Sequence, residues 1–119
     1  MNKKTHILLS LIMGGMLLLP SFSFAEKPTF TITIKNHLFS PKELIVPANT
    51  KVKLIIENQD PTAEEFESYD LNREKIVTGN GKITIFIGPL KPGEYKYFGE
   101  FHEDTAQGII IATATGEEK

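Results

Sequence analysis

Thr29-Phe30-Thr31-Ile32-Thr33-Ile34-Lys35 sets the terms on which the rest of the chain is read. Phe30, Ile32 and Ile34 alternate with Thr31, Thr33 and Lys35. Strict period two in β-branched residues describes a strand with one face buried, because successive side chains of an extended chain point to opposite sides. Lys82-Ile83-Thr84-Ile85-Phe86-Ile87 repeats the pattern, and residues 51–57 put Val52, Leu54 and Ile56 on one face against Lys51, Lys53 and Glu57 on the other. Shorter apolar or alternating runs follow at 43–46, 73–77, 94–98 and 108–113. Between them lie Pro47-Ala48-Asn49-Thr50, Thr78-Gly79-Asn80-Gly81 and Gly88-Pro89-Leu90-Lys91-Pro92-Gly93, which carry turn chemistry. Residues 36–41 read as a loop with Leu38 and Phe39 tucked inwards. Residues 64–69 are open to two readings: the Glu64-Glu65 pair favours a helix start, whereas Phe66 and its surroundings favour a strand. No stretch beyond residue 25 has the period of a long helix. Some seven to eight short strands with frequent turns predict an all-β Greek-key β-sandwich.

The first 25 residues are expected to stand outside that domain. Lys3 and Lys4 precede a short apolar run over 7–19, Pro20 breaks it, and Ser23-Phe24-Ala25 offers small residues at a cleavage site. This is the pattern of a secretory signal peptide. The run is shorter than a membrane-spanning helix requires. The expected organisation is therefore a signal peptide over 1–25 and one domain over 26–119, exported to the periplasm, with no membrane insertion after cleavage.

The chain of 119 residues has no cysteine. Neither a disulfide nor a lipid on a cysteine is available, so the domain must be held by its core. Beyond residue 25 there are 11 Lys and Arg against 15 Asp and Glu, a net charge of −4. That balance, without a basic patch, argues against nucleic acid as a partner.

Chemistry concentrates near the C-terminus, in Gly99-Glu100-Phe101-His102-Glu103-Asp104-Thr105-Ala106-Gln107-Gly108. An imidazole, three carboxylates and a carboxamide between two strand-like runs suit a metal ion. Glu64, Glu65 and Glu67 add three more acids. In an extended segment Glu65 and Glu67 share one face while Glu64 and Phe66 share the other, so a core Phe66 turns Glu65 and Glu67 away from it. Glu64, at the start of the strand, can escape that rule. The candidate ligands are His102, Glu100 and Glu65, followed by Glu67, Glu64 and Gln107. Glu103 reads as a solvated charge and Asp104 as a solvated charge or turn former. His37 reads as a loop residue ahead of Leu38-Phe39, and Arg73 as an ordinary charge that can pair with one of the acids.

Phe39-Ser40-Pro41, Leu44-Ile45-Val46-Pro47-Ala48, Val52 to Asn58 with Asp60, and Pro92-Gly93-x-Tyr95-x-Tyr97 together resemble a cupredoxin. The runs Glu64-Glu65-Phe66-Glu67-Ser68, Gly88-Pro89-Leu90-x-Pro92-Gly93 and Phe98-Gly99-Glu100-Phe101-His102-x-Asp104-Thr105-Ala106-Gln107-Gly108 resemble more closely the EfeO-type cupredoxin-like proteins of bacterial iron uptake. The resemblance implies a cupredoxin-like sandwich. It also implies a metal ion, Cu(II) or Fe(II)/Fe(III), and as partners an iron permease or other periplasmic iron-uptake components. A blue-copper loop reads Cys-x-x-His-x-x-x-x-Met. Laid on this chain it puts Gly99 at the Cys, His102 at the second His and Gln107 at the axial Met, with the first His near Glu64. Without the thiolate, no blue colour and no conventional electron transfer are expected. Carboxylates with one imidazole suit iron, manganese, zinc or Cu(II) rather than Cu(I). Two other readings follow: a metal-free protein-interaction module on the same scaffold, and a copper-dependent electron-transfer or iron-oxidising partner. An independent enzyme is the weakest reading, with metal-dependent iron oxidation the one catalytic activity left open.

Overall fold

A computed structural model describes residues 27–118. The expected signal peptide over 1–25 lies outside the described residues. Nine strands run in order: β1 Thr29–Lys35, β2 Leu38–Ser40, β3 Glu43–Pro47, β4 Val52–Asn58, β5 Glu64–Ser68, β6 Arg73–Val77, β7 Lys82–Ile87, β8 Gly93–Gly99 and β9 Gln107–Thr113. They form two sheets, β2-β1-β4-β7 and β3-β9-β8-β5-β6, packed as a sandwich. The one described helical element is a 3-10 turn at Glu100–His102. No helix among the described residues is long and apolar enough to cross a membrane.

The alternating runs behave as their pattern demands. Ile32, Ile34, Val52, Leu54, Ile56, Ile85 and Ile87 from the four-stranded sheet meet Val46, Phe66, Val77, Tyr97, Ile110 and Ala112 from the five-stranded sheet. Burial of these side chains is the main favourable term in folding a chain with no staple. Phe39, Phe66 and Tyr97 form an aromatic group within this core, with centroids 5.1 Å apart for two of the pairs and 6.3 Å for the third.

Two local expectations are corrected. Residues 38–40 are not loop but a strand, paired to β1 with Lys35 opposite Leu38 and Ile34 opposite Phe39. The turn is only Asn36-His37, with φ of 53° and 58°. Two left-handed residues give the tightest turn compatible with strand twist, usually supplied by Asn-Gly. With His in place of Gly, the signal is hidden. The second correction is Leu38: it is 52% exposed, while Phe39 is buried. Alternation on a hairpin allows only one of the two to face inwards.

Residues 64–69 resolve as strand, not helix. Phe66, fully buried, decides the facing of β5. Glu64 and Ser68 go inwards with it, and Glu65 and Glu67 lie on the outer face.

Candidate metal centre

The site sits at one end of the sandwich, where three connections meet. β1 and β4 are parallel neighbours, so the chain leaves both at the same end. It leaves β1 into the Asn36-His37 turn, and β4 into the 59–63 loop that leads to Glu64. The stretch after β8 completes the group, since β8 pairs with β5 at Gly99 opposite Phe66.

Each segment is tied down. The Asn58 amide group donates to the carbonyls of Thr62 (2.8 Å) and Thr78 (3.2 Å), and its oxygen accepts from the Asp60 amide (3.0 Å). Gly79 lets the 59–63 loop close against the following turn: a Cβ there would stand 2.0 Å from the Pro61 carbonyl oxygen. Asp60, thus held, accepts from the amides of Asn36 (2.7 Å) and His37 (3.0 Å). The His37 amide bond in particular holds the Asp60 carboxyl below its usual range, against the opposing effect of burial. On the other side, the Gly99 amide donates to Ala106, and the Thr105 and Ala106 amides donate to His102. Backbone therefore closes the 99–106 loop.

At the centre Glu64 is 2% exposed. Its carboxylate accepts from the Glu65 amide (3.0 Å), the Phe101 amide (2.9 Å) and His102 Nδ1 (2.6 Å). A buried carboxylate requires such partners. Since the carboxylate accepts, Nδ1 carries the proton and Nε2 is the free nitrogen of His102. The His37 ring stacks on the His102 ring at 3.5 Å and 11° between planes. His37 Nδ1 lies 3.4 Å from Asp60. One ligand atom from each of His37, Glu64 and His102 lies within 4.8 Å of the others.

Gly99 explains the arrangement. A Cβ on it would meet Glu64 Cδ at 2.6 Å, Ala106 Cβ at 2.8 Å and Glu64 Oε2 at 2.8 Å. The space a side chain at 99 would take is filled by the carboxylate of the neighbouring strand.

Glu65, Glu67, Glu74 and Glu100 form a second group on the outer face, again with one carboxylate oxygen each within 4.8 Å. Glu67 stands directly opposite Glu74 across β5 and β6. The Glu67 carboxyl is pushed up to about 7, first by the proton it shares with Glu100, then by burial and by the charges of Glu100 and Glu74. Glu65 is raised as well, chiefly by Glu74. Charge from Glu67 also raises the nearby Tyr69 hydroxyl.

The six candidate residues are thus divided. His102 and Glu64 come together and are joined by His37, which the sequence ranks as a loop residue ahead of a metal ligand. Glu65, Glu67 and Glu100 join Glu74 instead, on the other side of β5. Gln107 is exposed, and its amide donates to the Glu103 carbonyl at 2.9 Å. Among the described residues Arg73 pairs with no acid: it donates to the carbonyls of Phe86 and Asn72.

The cupredoxin-like domain profile matches residues 7–112. The chain belongs to the cupredoxin-like domain family. It is 60% identical over 80 residues to the uncharacterized protein RP394 of Rickettsia prowazekii (strain Madrid E), a match covering 67% of this chain and 64% of that relative, less than two thirds of its length. Its fold is similar to that of auracyanin A, a "blue" copper protein from Chloroflexus aurantiacus, at 15% identity and TM-score 0.63, covering 74% of this chain and 100% of the other. Amicyanin from Paracoccus versutus aligns at 14% identity and TM-score 0.57, over 76% and 85%. The metal-binding domain of the Streptococcus pneumoniae D39 Cu(I)-exporting P-type ATPase CopA aligns at 10% and 0.63, over 76% and 91%. At these identities the likeness is one of fold. A blue-copper centre does not fit this cupredoxin: there is no thiolate, and Glu64 fills the room for one. The imidazole and carboxylate donors at hand fit a harder ion, such as iron, Zn(II) or Cu(II).

Proposed function

We propose that this cupredoxin-like protein is an exported, periplasmic metal-binding protein. It takes iron, or copper acting on iron, at Glu64, His102 and His37, and works beside a high-affinity iron permease. The reading is carried by one observation: a buried carboxylate from β5 occupies the place of the side chain missing at Gly99 and is bonded to the His102 ring. Exchange of thiolate for carboxylate moves the donor set from soft to hard. Such an ion would supply Lewis acidity, or a one-electron couple if it is copper. The chain's part is to hold it: Asp60 orients the His37 turn, and the Glu65 and Phe101 amides fix Glu64. Iron uptake as the setting rests on the sequence resemblance.

Calorimetric titration with Fe(II), Fe(III), Cu(II) and Zn(II) tests the centre. Binding should be tighter than millimolar for at least one ion, and His102→Ala should abolish the tightest event. No binding of any of the four would sink the reading. Cu(II) is expected to bind tightest of the divalent ions on general affinity order, so the physiological metal is the one found in protein purified from its native compartment.

One observation favours a second reading. Glu64 already accepts three hydrogen bonds, so the pair with His102 is closed without an ion. A metal-free interaction module would use the acidic end to dock a basic partner. Its binding would persist in chelator and weaken with salt.

A further inference from the structure

The two outer faces of the sandwich differ in charge, which the overall acidic balance conceals. The five-stranded sheet turns Glu43, Glu65, Glu67, Glu74 and Glu94 outwards, whereas the strands of the four-stranded sheet carry Lys35, Lys53 and Lys82 against one acid, Glu57. We propose that the four-stranded face, around Phe86, docks the protein on an anionic phospholipid surface, by contact and without insertion.

Phe86 is the centre of the patch. Its neighbours Ile85 and Ile87 enter the core, so Phe86 points out, and it is 40% exposed. Register sets Lys53 directly opposite it. The ammonium groups of Lys27 and Lys51 stand 5.7 and 5.9 Å from the centre of its ring. Strand pairing gathers these lysines from distant parts of the chain. β1 lies beside β4 with Thr29 opposite Lys53, and the Lys53 amide donates to the Pro28 carbonyl at 2.8 Å, which brings Lys27 alongside. The ring attracts each cation, but two ammonium groups over one ring repel each other. No described carboxylate neutralises them: the ion pairs among the described residues are His37 with Asp60 and His102 with Glu64. Glu57 lies at the far end of β4, opposite Lys82.

Three features fit a lipid surface. The patch is a face rather than a cleft: the grooves of about 280 to about 650 Å3 on the molecule are lined by none of Lys27, Lys51, Lys53 and Phe86. An exposed aromatic among lysines is also the make-up of an interfacial contact. Ring and aliphatic stems meet the headgroup boundary while the ammonium groups reach the phosphates. Lastly, Lys27 is itself part of the patch, so the apolar run over 7–19 joins the domain at this place. With 1–25 as a signal peptide, the last link to the membrane before cleavage is at this end. That orientation rests on export as proposed above; the charge and openness of the face do not. Parallel β1 and β4 start at the patch and run to the Asn36-His37 turn and the 59–63 loop. A docked domain therefore holds the His102 centre away from the lipid.

The test is co-sedimentation of the domain over 26–119, whose core lies wholly within the described residues, with phospholipid vesicles at low salt. Binding is expected to vesicles containing phosphatidylglycerol and not to phosphatidylcholine alone, and should weaken as salt is raised. Lys27→Glu and Lys51→Glu, both at exposed positions, should each weaken it by about fivefold or more, the worth of one basic residue at an anionic surface. Lys96→Glu changes net charge equally on the other face and should leave binding within about twofold. In the unmodified domain, spin-labelled lipid in the vesicles should broaden the amide resonances of residues 27, 51, 53 and 86 before that of 102. No binding to phosphatidylglycerol vesicles would overturn the proposal. Equal loss in Lys96→Glu would overturn it too, reducing the effect to net charge. Tighter binding of soluble polyglutamate than of the vesicles would replace the membrane with an acidic partner. Export is judged separately, by the mass of the protein recovered from its host: retention of residues 1–25 would count against export and leave the lysine variants to decide the patch.

Discussion

At the scale of single residues, Gly99 and Glu64 are one device. A glycine is needed at 99 because the Glu64 carboxylate and the Ala106 methyl close over its Cα. Gly99→Ala is expected to force that carboxylate aside and to destabilise the fold by about 1–3 kcal/mol, as overpacking does. Urea denaturation measures it, and an unchanged midpoint would mean that the space is free after all. Much of this was legible from the chain. Laying a blue-copper loop on the chain singled out Gly99 and His102, and both lie against the Glu64 carboxylate. That Glu64, rather than Glu65, turns inwards was not legible, although alternation about a core Phe66 already pointed Glu65 away. Asp60 is the other pivotal residue. It accepts two amides of the Asn36-His37 turn. Asp60→Ala should cost about 1–3 kcal/mol, the usual cost of orphaning bonded amides. It should also loosen His37 from the His102 ring. Nuclear relaxation at residues 36 and 37 reads the loosening, and rigid amides in the variant would count against this role.

At the scale of elements, the β5–β6 pair is the place where charge works against pairing. Glu67 titrates near 7 in the folded protein, against an ordinary 4.5. The folded state therefore holds a proton that the unfolded chain gives up. Stability is full below about pH 4.5 and falls as pH rises to about 7, because over that window the native state binds more protons. Glu65 acts in the same direction. Asp60 acts oppositely and lower down. Its lowered carboxyl stabilises the fold above its ordinary 3.8, and that contribution is lost as pH falls further. In metal-free protein, Glu74→Gln should raise the melting temperature at pH 8 and do little at pH 4. A gain of equal size at both values would exclude repulsion as the cause. The β1–β2 hairpin shows the limit of reading elements from composition. Its turn uses two left-handed residues without a glycine, so the chain looked like loop where it is paired strand.

At the scale of the whole molecule, one short turn reaches both groups of ionisable side chains. Within Glu100–His102, the first residue faces the outer carboxylates and the last faces Glu64. β5 is the wall between them, with Glu64 on its inner face and Glu65 and Glu67 on its outer face. The scaffold has the cupredoxin-like fold but not the thiolate of blue copper. Loaded with Cu(II), the natural protein should show no intense thiolate-to-copper absorption. Glu64→His with Gly99→Cys should produce that band, since the first change removes the carboxylate that meets a side chain at 99 and supplies a second imidazole beside the thiolate. Gly99→Cys alone should not. Visible spectroscopy decides, and a colourless double variant would mean that more than two side chains separate this site from a blue one. The sequence by itself determined the alternating strands, the all-β sandwich and the lack of a thiolate. Those follow from period-two burial and from residue identity, which are local properties. Only the tertiary structure decided which acids meet which imidazoles. It divided one expected ligand set in two, brought His37 to His102 through parallel β1 and β4, and supplied Glu74 by strand register. Convergence of side chains distant in the chain depends on sheet order and facing, and neither is written in any one stretch of residues.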